Sequence, residues 1–198
     1  ELQFRRLEHI YLGPRYNNLQ IKKVLEGLKI PHRKSNAIHK LAAKSLALGK
    51  ISGWFQGRME FGPRALGSRS ILADASNPRN QSVVNLKIKF RESFRPFAPT
   101  VLEDRTTEYF EFDRPSPYML FVTRVREDKR TIPAVTHVDG SARLQTISRE
   151  QHPLFYDMIA EFDRQTGCPV VINTSFNVRG EPIVCTPEDA WRCFMRTE

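Results

Sequence analysis

A mixed β-sheet with helices packed against it, α/β with α+β character, is the fold class that this 198-residue sequence predicts. Three observations point there. Helical and strand-like hydrophobic patterns interleave along the chain, without the strict alternation that a doubly wound parallel sheet requires. Composition is 40% hydrophobic and 10% aromatic, enough apolar surface for a real core. No run of about 18 apolar residues occurs, and Glu1-Leu-Gln-Phe-Arg-Arg lacks the basic-then-apolar pattern of a leader, so the expected location is the cytoplasm. The chain begins without Met and stops within a helical pattern at Glu198. A fragment of a longer protein is therefore expected, with residues 1–16 as a linker and 17–198 as one domain.

The elements follow in order. Asn17 or Asn18 caps a helix whose Ile21, Val24, Leu25 and Leu28 form one apolar stripe. Asn36 is the expected cap of a second helix carrying Ile38, Leu41, Ala42 and Leu46, with Gly49 supplying a left-handed stop. Ile51 to Gln56 is short and aromatic and predicts a buried strand. Asn77-Pro78 opens a helix expected to reach about Phe90. Pro96 pushes Arg95 towards an extended conformation, so a helix-to-strand turn is expected there, with Phe94 and Phe97 both in the core. Tyr118–Arg126 and Ala142–Ser148 read as strands. Pro153–Thr166 reads as a helix ending at Gly167, and Cys168–Ile172 as a buried strand. Thr186-Pro-Glu-Asp189 has the form of a capping box opening a last helix.

Thirty-one Lys and Arg against 22 Asp and Glu leave a formal charge of +9. Five of those nine charges lie between Arg58 and Arg95, where Arg58, Arg64, Arg69, Arg79, Lys87, Lys89, Arg91 and Arg95 face only Glu60, Asp74 and Glu92. Arg79 and Lys87 read as a solvated helix face, and Arg91 with Glu92 as surface pairs. In Gly57-Arg-Met-Glu-Phe-Gly-Pro-Arg-Ala-Leu-Gly67-Ser-Arg-Ser70 the glycines allow close backbone approach to a ligand, and the arginines supply forks suited to phosphate or carboxylate. The spacing of Gly57 and Gly62 echoes a P-loop, but Pro63 has no N–H to offer and no Ser or Thr follows Arg64 directly.

Lys89 and Arg95 flank the next turn and could converge on one dianion. Later, the apolar Val170-Val-Ile172 runs into Asn173-Thr-Ser-Phe-Asn177, a crowd of hydrogen-bonding groups where α/β folds bind ligands. Cys168, Cys185 and Cys193 match no zinc or redox spacing and read as reduced thiols, and the five histidines show no metal-site pairing.

Taken together, these motifs resemble the C-terminal domain of the NodU/cephalosporin/tobramycin O-carbamoyltransferase family. The likeness runs from Tyr11-Leu-Gly-Pro14 through Gly57–Gly67, Lys89-Phe-Arg-Glu-Ser-Phe-Arg-Pro-Phe-Ala-Pro99, Asp139-Gly-Ser-Ala-Arg143 and Asn173–Asn177 to Glu181-Pro-Ile-Val184. Ser68 departs from the family's usual asparagine, and the family's final strand is absent. The resemblance implies a YrdC-like twisted mixed sheet with flanking helices, following an N-terminal actin-like, kinase-fold domain. It also implies binding of carbamoyl phosphate and of ATP with Mg2+, formation of a carbamoyl-adenylate, and transfer to a hydroxyl of a small molecule held by the other domain. By the same resemblance Lys89, Arg95 and Arg143 would be catalytic, while Arg64, Asn173, Thr174, Ser175 and Asn177 would bind carbamoyl phosphate and ATP.

The residue types suit that chemistry. Carbamoyl phosphate and ATP repel each other, so joining them needs cations that neutralise charge and align an attack on the α-phosphorus. Hydroxyl and amide groups can hold the carbamoyl amide without adding charge. The competing class is an RNA-binding module related to tRNA modification, suggested by a pI near 9.7. Against it stand the absence of an RNA-recognition motif and phenylalanines expected to be buried.

Overall fold

A computed structural model describes residues 9–197. The first eight residues of the expected linker, on which the expectation of no leader rests, lie outside the described residues, as does Glu198. Helix α1 (Asn18–Gly27) starts as its sequence dictates, with Asn17 and Gln20 forming a reciprocal capping box. Helix α2 (Ile38–Ala47) differs at its start. Ala37, not Asn36, is the N-cap, and no side chain bonds the first turn. Instead the Ser35 hydroxyl accepts the Ala37 N–H.

Six strands form one mixed sheet: β1 (Ser52–Phe55), β2 (Arg69–Asp74), β3 (Ala98–Leu102), β4 (Phe121–Arg124), β5 (Ser141–Ile147) and β6 (Val170–Ser175). Their spatial order is β1-β2-β6-β3-β5-β4, and every neighbouring pair is antiparallel except β3 with β5. Strand β2, which the hydrophobic pattern does not signal, is buried along nearly its whole length, as is β3. Strands covered on both faces lose the alternation by which a strand is recognised. Strand β4 is shorter than its predicted span and largely exposed, as befits a sheet edge.

Helix α5 (Pro153–Thr166) has the predicted bounds and stops at Gly167, whose φ of 73° is left-handed. It packs against α2 and the sheet, burying Phe155, Met158, Ile159 and Phe162. Burying four such side chains contributes roughly 1.5–3 kcal/mol each before entropy is counted. Helix α6 (Pro187–Phe194) opens with the expected capping box between Thr186 and Asp189.

The helix expected from Pro78 to Phe90 is only partly α-helical. After α3 (Pro78–Val83) the chain makes one π turn, Val84–Ile88, closed by the Lys89 N–H donating to the Val84 carbonyl at 2.9 Å. Phe90 then takes a φ of +47° and reverses the chain. Beyond it Phe97 is buried as expected, whereas Phe94 is 77% exposed. The turn holding Phe94 is fixed through its backbone carbonyls instead, by the side-chain amides of Gln81 and Asn85. A short α4 (Thr106–Tyr109) follows β3.

Candidate active site at the end of strand β6

Two segments meet where β6 ends. The π turn aims Lys89 at the chain leaving β6, and its ammonium donates to the Ser175 carbonyl at 2.5 Å, Asn177 Oδ1 at 2.7 Å, the Asn177 carbonyl at 3.0 Å and Ser175 Oγ at 3.3 Å. Ser175 Oγ in turn donates to Asn177 Oδ1. The Asn177 amide is held by the Glu181 carbonyl. Among the described residues no carboxylate bonds Lys89, whose charge rests on carbonyl, amide and hydroxyl dipoles. Burial, reinforced by the neighbouring Arg91 guanidinium, lowers its pKa to about 7.

Around Lys89 lies a cleft of about 300 Å³, lined also by Arg91, Arg95, Arg179, Thr174, Ser175 and Asn177. Among the described residues Glu92 is the one carboxylate in that lining, and it is engaged by Arg95 at 3.0 Å. Arg91 is fixed from two sides, its Nε donating to Asn85 Oδ1 at 2.6 Å and its guanidinium lying 4.9 Å from the Phe97 ring centre. Four cations and hydroxyl and amide groups around one small cleft fit the oxygens of a phosphorylated ligand.

The expected site residues thus divide. Lys89, Arg95, Thr174, Ser175 and Asn177 share the cleft, but Arg64 and Arg143 do not line it. Burial, and after it the charge of Arg64, lowers the pKa of Arg143. Arg143 Nε is buried without a partner. Asn173 departs from its expected place in the ligand pocket. It is 1% exposed, and its amide donates inward to Gln145 Oε1 and Thr100 Oγ1. The strand register explains this, because Asn173 stands opposite Ala98 and shares a sheet face with Thr100 and Gln145.

Arg91 and Arg179 are the cleft residues that sequence reasoning missed. Arg91 carried a signal, its separation by one residue from Lys89 beyond a helix end. Arg179 carried none, since only the fold brings it to the Phe90 carbonyl.

The glycine-rich segment also differs from expectation. Its backbone N–H groups do not wait for a ligand: those of Leu66 and Ser68 donate to Glu60 Oε1 at 2.6 and 2.7 Å. Gly67 is required for packing, because a Cβ there would stand 2.3 Å from Phe155 Cδ1 at a φ of +108°. His152 caps this region from the interior, near Gln56 and Ser68, and burial lowers its pKa to about 4.

The cleft's donors do not fit Mg2+, which prefers carboxylate and water oxygens. No group of three His, Cys, Asp or Glu side chains suited to a metal is present among the described residues. Nor, among them, is any helix long and apolar enough to cross a membrane.

Comparison with known proteins agrees with this architecture. Full-length HypF in its phosphate- and nucleotide-bound form shares the fold, with a TM-score of 0.56 at 16% identity over 85% of this chain and 21% of that one. Protein sll1178 of Synechocystis is 52% identical across 95% of this chain, and nodulation protein NolO of Bradyrhizobium diazoefficiens 46% identical across 98%. The chain spans about a third of their lengths, 35% and 36%. Residues 43–198 match the family model described as carbamoyltransferase C-terminus, and the chain belongs to that family.

Proposed function

We propose that this chain binds carbamoyl phosphate and ATP and joins them as a carbamoyl-adenylate, from which the carbamoyl group passes to a hydroxyl of a small molecule. The acceptor would be held by the N-terminal actin-like domain expected of the longer protein. The observation that carries this reading is the convergence of Lys89, Arg91, Arg95 and Arg179 on the end of β6, with Ser175 and Asn177 between them. Family membership supports carbamoyl transfer, and the printed description of HypF adds that a protein of this fold binds phosphate and a nucleotide.

In this reading water cleaves carbamoyl phosphate into carbamate and phosphate, a carbamate oxygen then attacks the α-phosphorus of ATP, and the bond to the departing pyrophosphate breaks. The chain's own work is to gather anions and align them. Lys89 and the arginines offset charge as it shifts between oxygens, and Ser175 and Asn177 orient the carbamoyl amide. Mg2+ would accompany the nucleotide phosphates. Phosphorus NMR with carbamoyl phosphate and Mg-ATP is expected to show release of both phosphate and pyrophosphate. Arg95→Ala should slow that release at least about tenfold, given its exposed position. Unchanged release in Arg95→Ala removes it from the site, and no release by the full-length protein rejects the reading.

One observation favours a second reading, RNA binding. Phe94 is exposed beside Arg95, a pairing of aromatic and cation that can stack on a base. Binding to tRNA that weakens steeply with salt and ignores carbamoyl phosphate would displace the adenylate reading.

A further inference from the structure

Several arginines of the chain are held by carboxylates, as Arg95 is by Glu92 and Arg105 by Glu108 and Asp163. Arg91 is held by a neutral residue instead. Asn85, in the π turn and 0% exposed, grips it twice: its carbonyl accepts the Arg91 N–H at 3.0 Å, and its Oδ1 accepts the guanidinium Nε–H at 2.6 Å. The Asn85 amide cannot turn over. Its Nδ2 donates to the Ser93 carbonyl at 3.0 Å and the Arg95 carbonyl at 2.8 Å, and an oxygen placed there would face two acceptors. The two carbonyls therefore dictate that Oδ1 faces Arg91.

This arrangement fixes a cation without cancelling it. A carboxylate in the same place would also hold Arg91 but would neutralise it inside the protein. An apolar side chain of the same size would leave Arg91 unbraced and deprive two carbonyls of a donor. Among the described residues Arg91 is hydrogen-bonded at Nε and not at its two terminal nitrogens, which leaves those donors for an oxyanion in the cleft that Arg91 lines. We propose that Asn85 is a positioning residue of the cleft, whose fixed, uncharged amide orients Arg91 and leaves the guanidinium's whole charge to a bound phosphate group. This rests on the cleft being the anion site of the proposed function, and it assigns Asn85 no contact with substrate.

The test is a double-mutant cycle in the full-length protein, measuring affinity for inorganic phosphate by titration calorimetry, with circular dichroism of every variant. Asn85→Ala should weaken phosphate binding about tenfold, and Arg91→Ala by about as much. In the Arg91→Ala background Asn85→Ala should cost no more than about twofold, because its effect passes through Arg91. A further tenfold loss in that background overturns the proposal. Gln81→Ala isolates the turn, since Gln81 donates to the Phe94 and Arg95 carbonyls and has no bond to Arg91. It should cost less than about twofold, and a loss equal to that of Asn85→Ala shows that the turn, not Arg91, carries the effect and overturns the proposal. Asn85→Asp keeps the size and the acceptor but neutralises the guanidinium, so it should bind phosphate more weakly than Asn85→Ala. It decides the matter if the alanine variant does not fold, because parent-like affinity in Asn85→Asp overturns the proposal. Phosphate is a product of the proposed reaction, so its affinity reports on the cleft whether or not an adenylate forms. The expected cycle in a protein that releases no pyrophosphate from carbamoyl phosphate and Mg-ATP rejects the adenylate reading and keeps the role of Asn85, whereas a parent protein that does not bind phosphate overturns that role.

Discussion

Lys89→Ala is expected to slow pyrophosphate release about a hundred- to a thousandfold while circular dichroism remains that of the parent. The magnitude is that of deleting one preorganised charge from a water-poor site. The fold should survive because the cleft beside the buried Lys89 has room for water to bond its former partners, the Ser175 and Asn177 oxygens. The same residue makes anion binding pH-dependent. With a pKa lowered to about 7, Lys89 is charged below that pH and neutral above it. Affinity for carbamoyl phosphate should therefore fall as pH rises from about 7 to 9, approaching tenfold per unit. A bound dianion favours the charged form, so binding at pH 8 should take up a proton. Calorimetry in two buffers of different ionisation enthalpy measures this directly, and no proton uptake would show that Lys89 does not face the anion. For the empty fold the sign is also fixed. Between about 7 and the ordinary value of 10.5 the unfolded chain holds a proton that folded Lys89 has released, so this residue makes stability rise with pH in that window.

Arg69→Leu should cost about 3–5 kcal/mol of stability, the loss typical of removing a buried charge, here one bonded through its two terminal nitrogens. Arg69 is 0% exposed and is bonded almost wholly by backbone oxygens. Its guanidinium donates to the carbonyls of Gln56 at 3.0 Å, Ser68 at 3.1 Å and Pro14 at 3.2 Å, and lies 3.6 Å from the Phe55 ring centre. It thereby ties the segment before α1, the end of β1 and the start of β2 to one another. Leucine fills part of the volume and leaves those carbonyls without donors. Lysine, a single point of charge, should not rescue the fork. Urea unfolding measures the difference, and a loss below about 1 kcal/mol would mean that water replaces the guanidinium at little cost.

Elements whose ends are written in local chemistry were legible in advance. Asn17, and Thr186 with Asp189, mark helix starts through bonds within a few residues, and Pro153 and Gly167 mark the two ends of α5 by their own backbone preferences. What depends on distant partners was not legible. Strand β2 is identified by its neighbours β1 and β6, and Phe94 stays exposed because Gln81 and Asn85 hold its turn by the backbone. The same division runs through the site. The residue types around Lys89 and Ser175 announced anion chemistry, but only strand register turns Asn173 inward, and only the fold shows that the glycine-rich backbone already has its anion in Glu60.

The π turn from Val84 to Ile88 makes residue count part of the site. Lys89 reaches the end of β6 because its N–H bonds five residues back instead of four. Removing any one residue from the turn would let the α-helix continue unbroken and rotate all that follows by about 100° around the helix axis. Lys89 would then point away from Ser175 with its own identity intact, and Asn85 could no longer brace Arg91. Two sequences with the same basic residues but one position fewer between Pro78 and Lys89 would thus differ in whether those charges share a cleft, a distinction that a tally of side chains never registers.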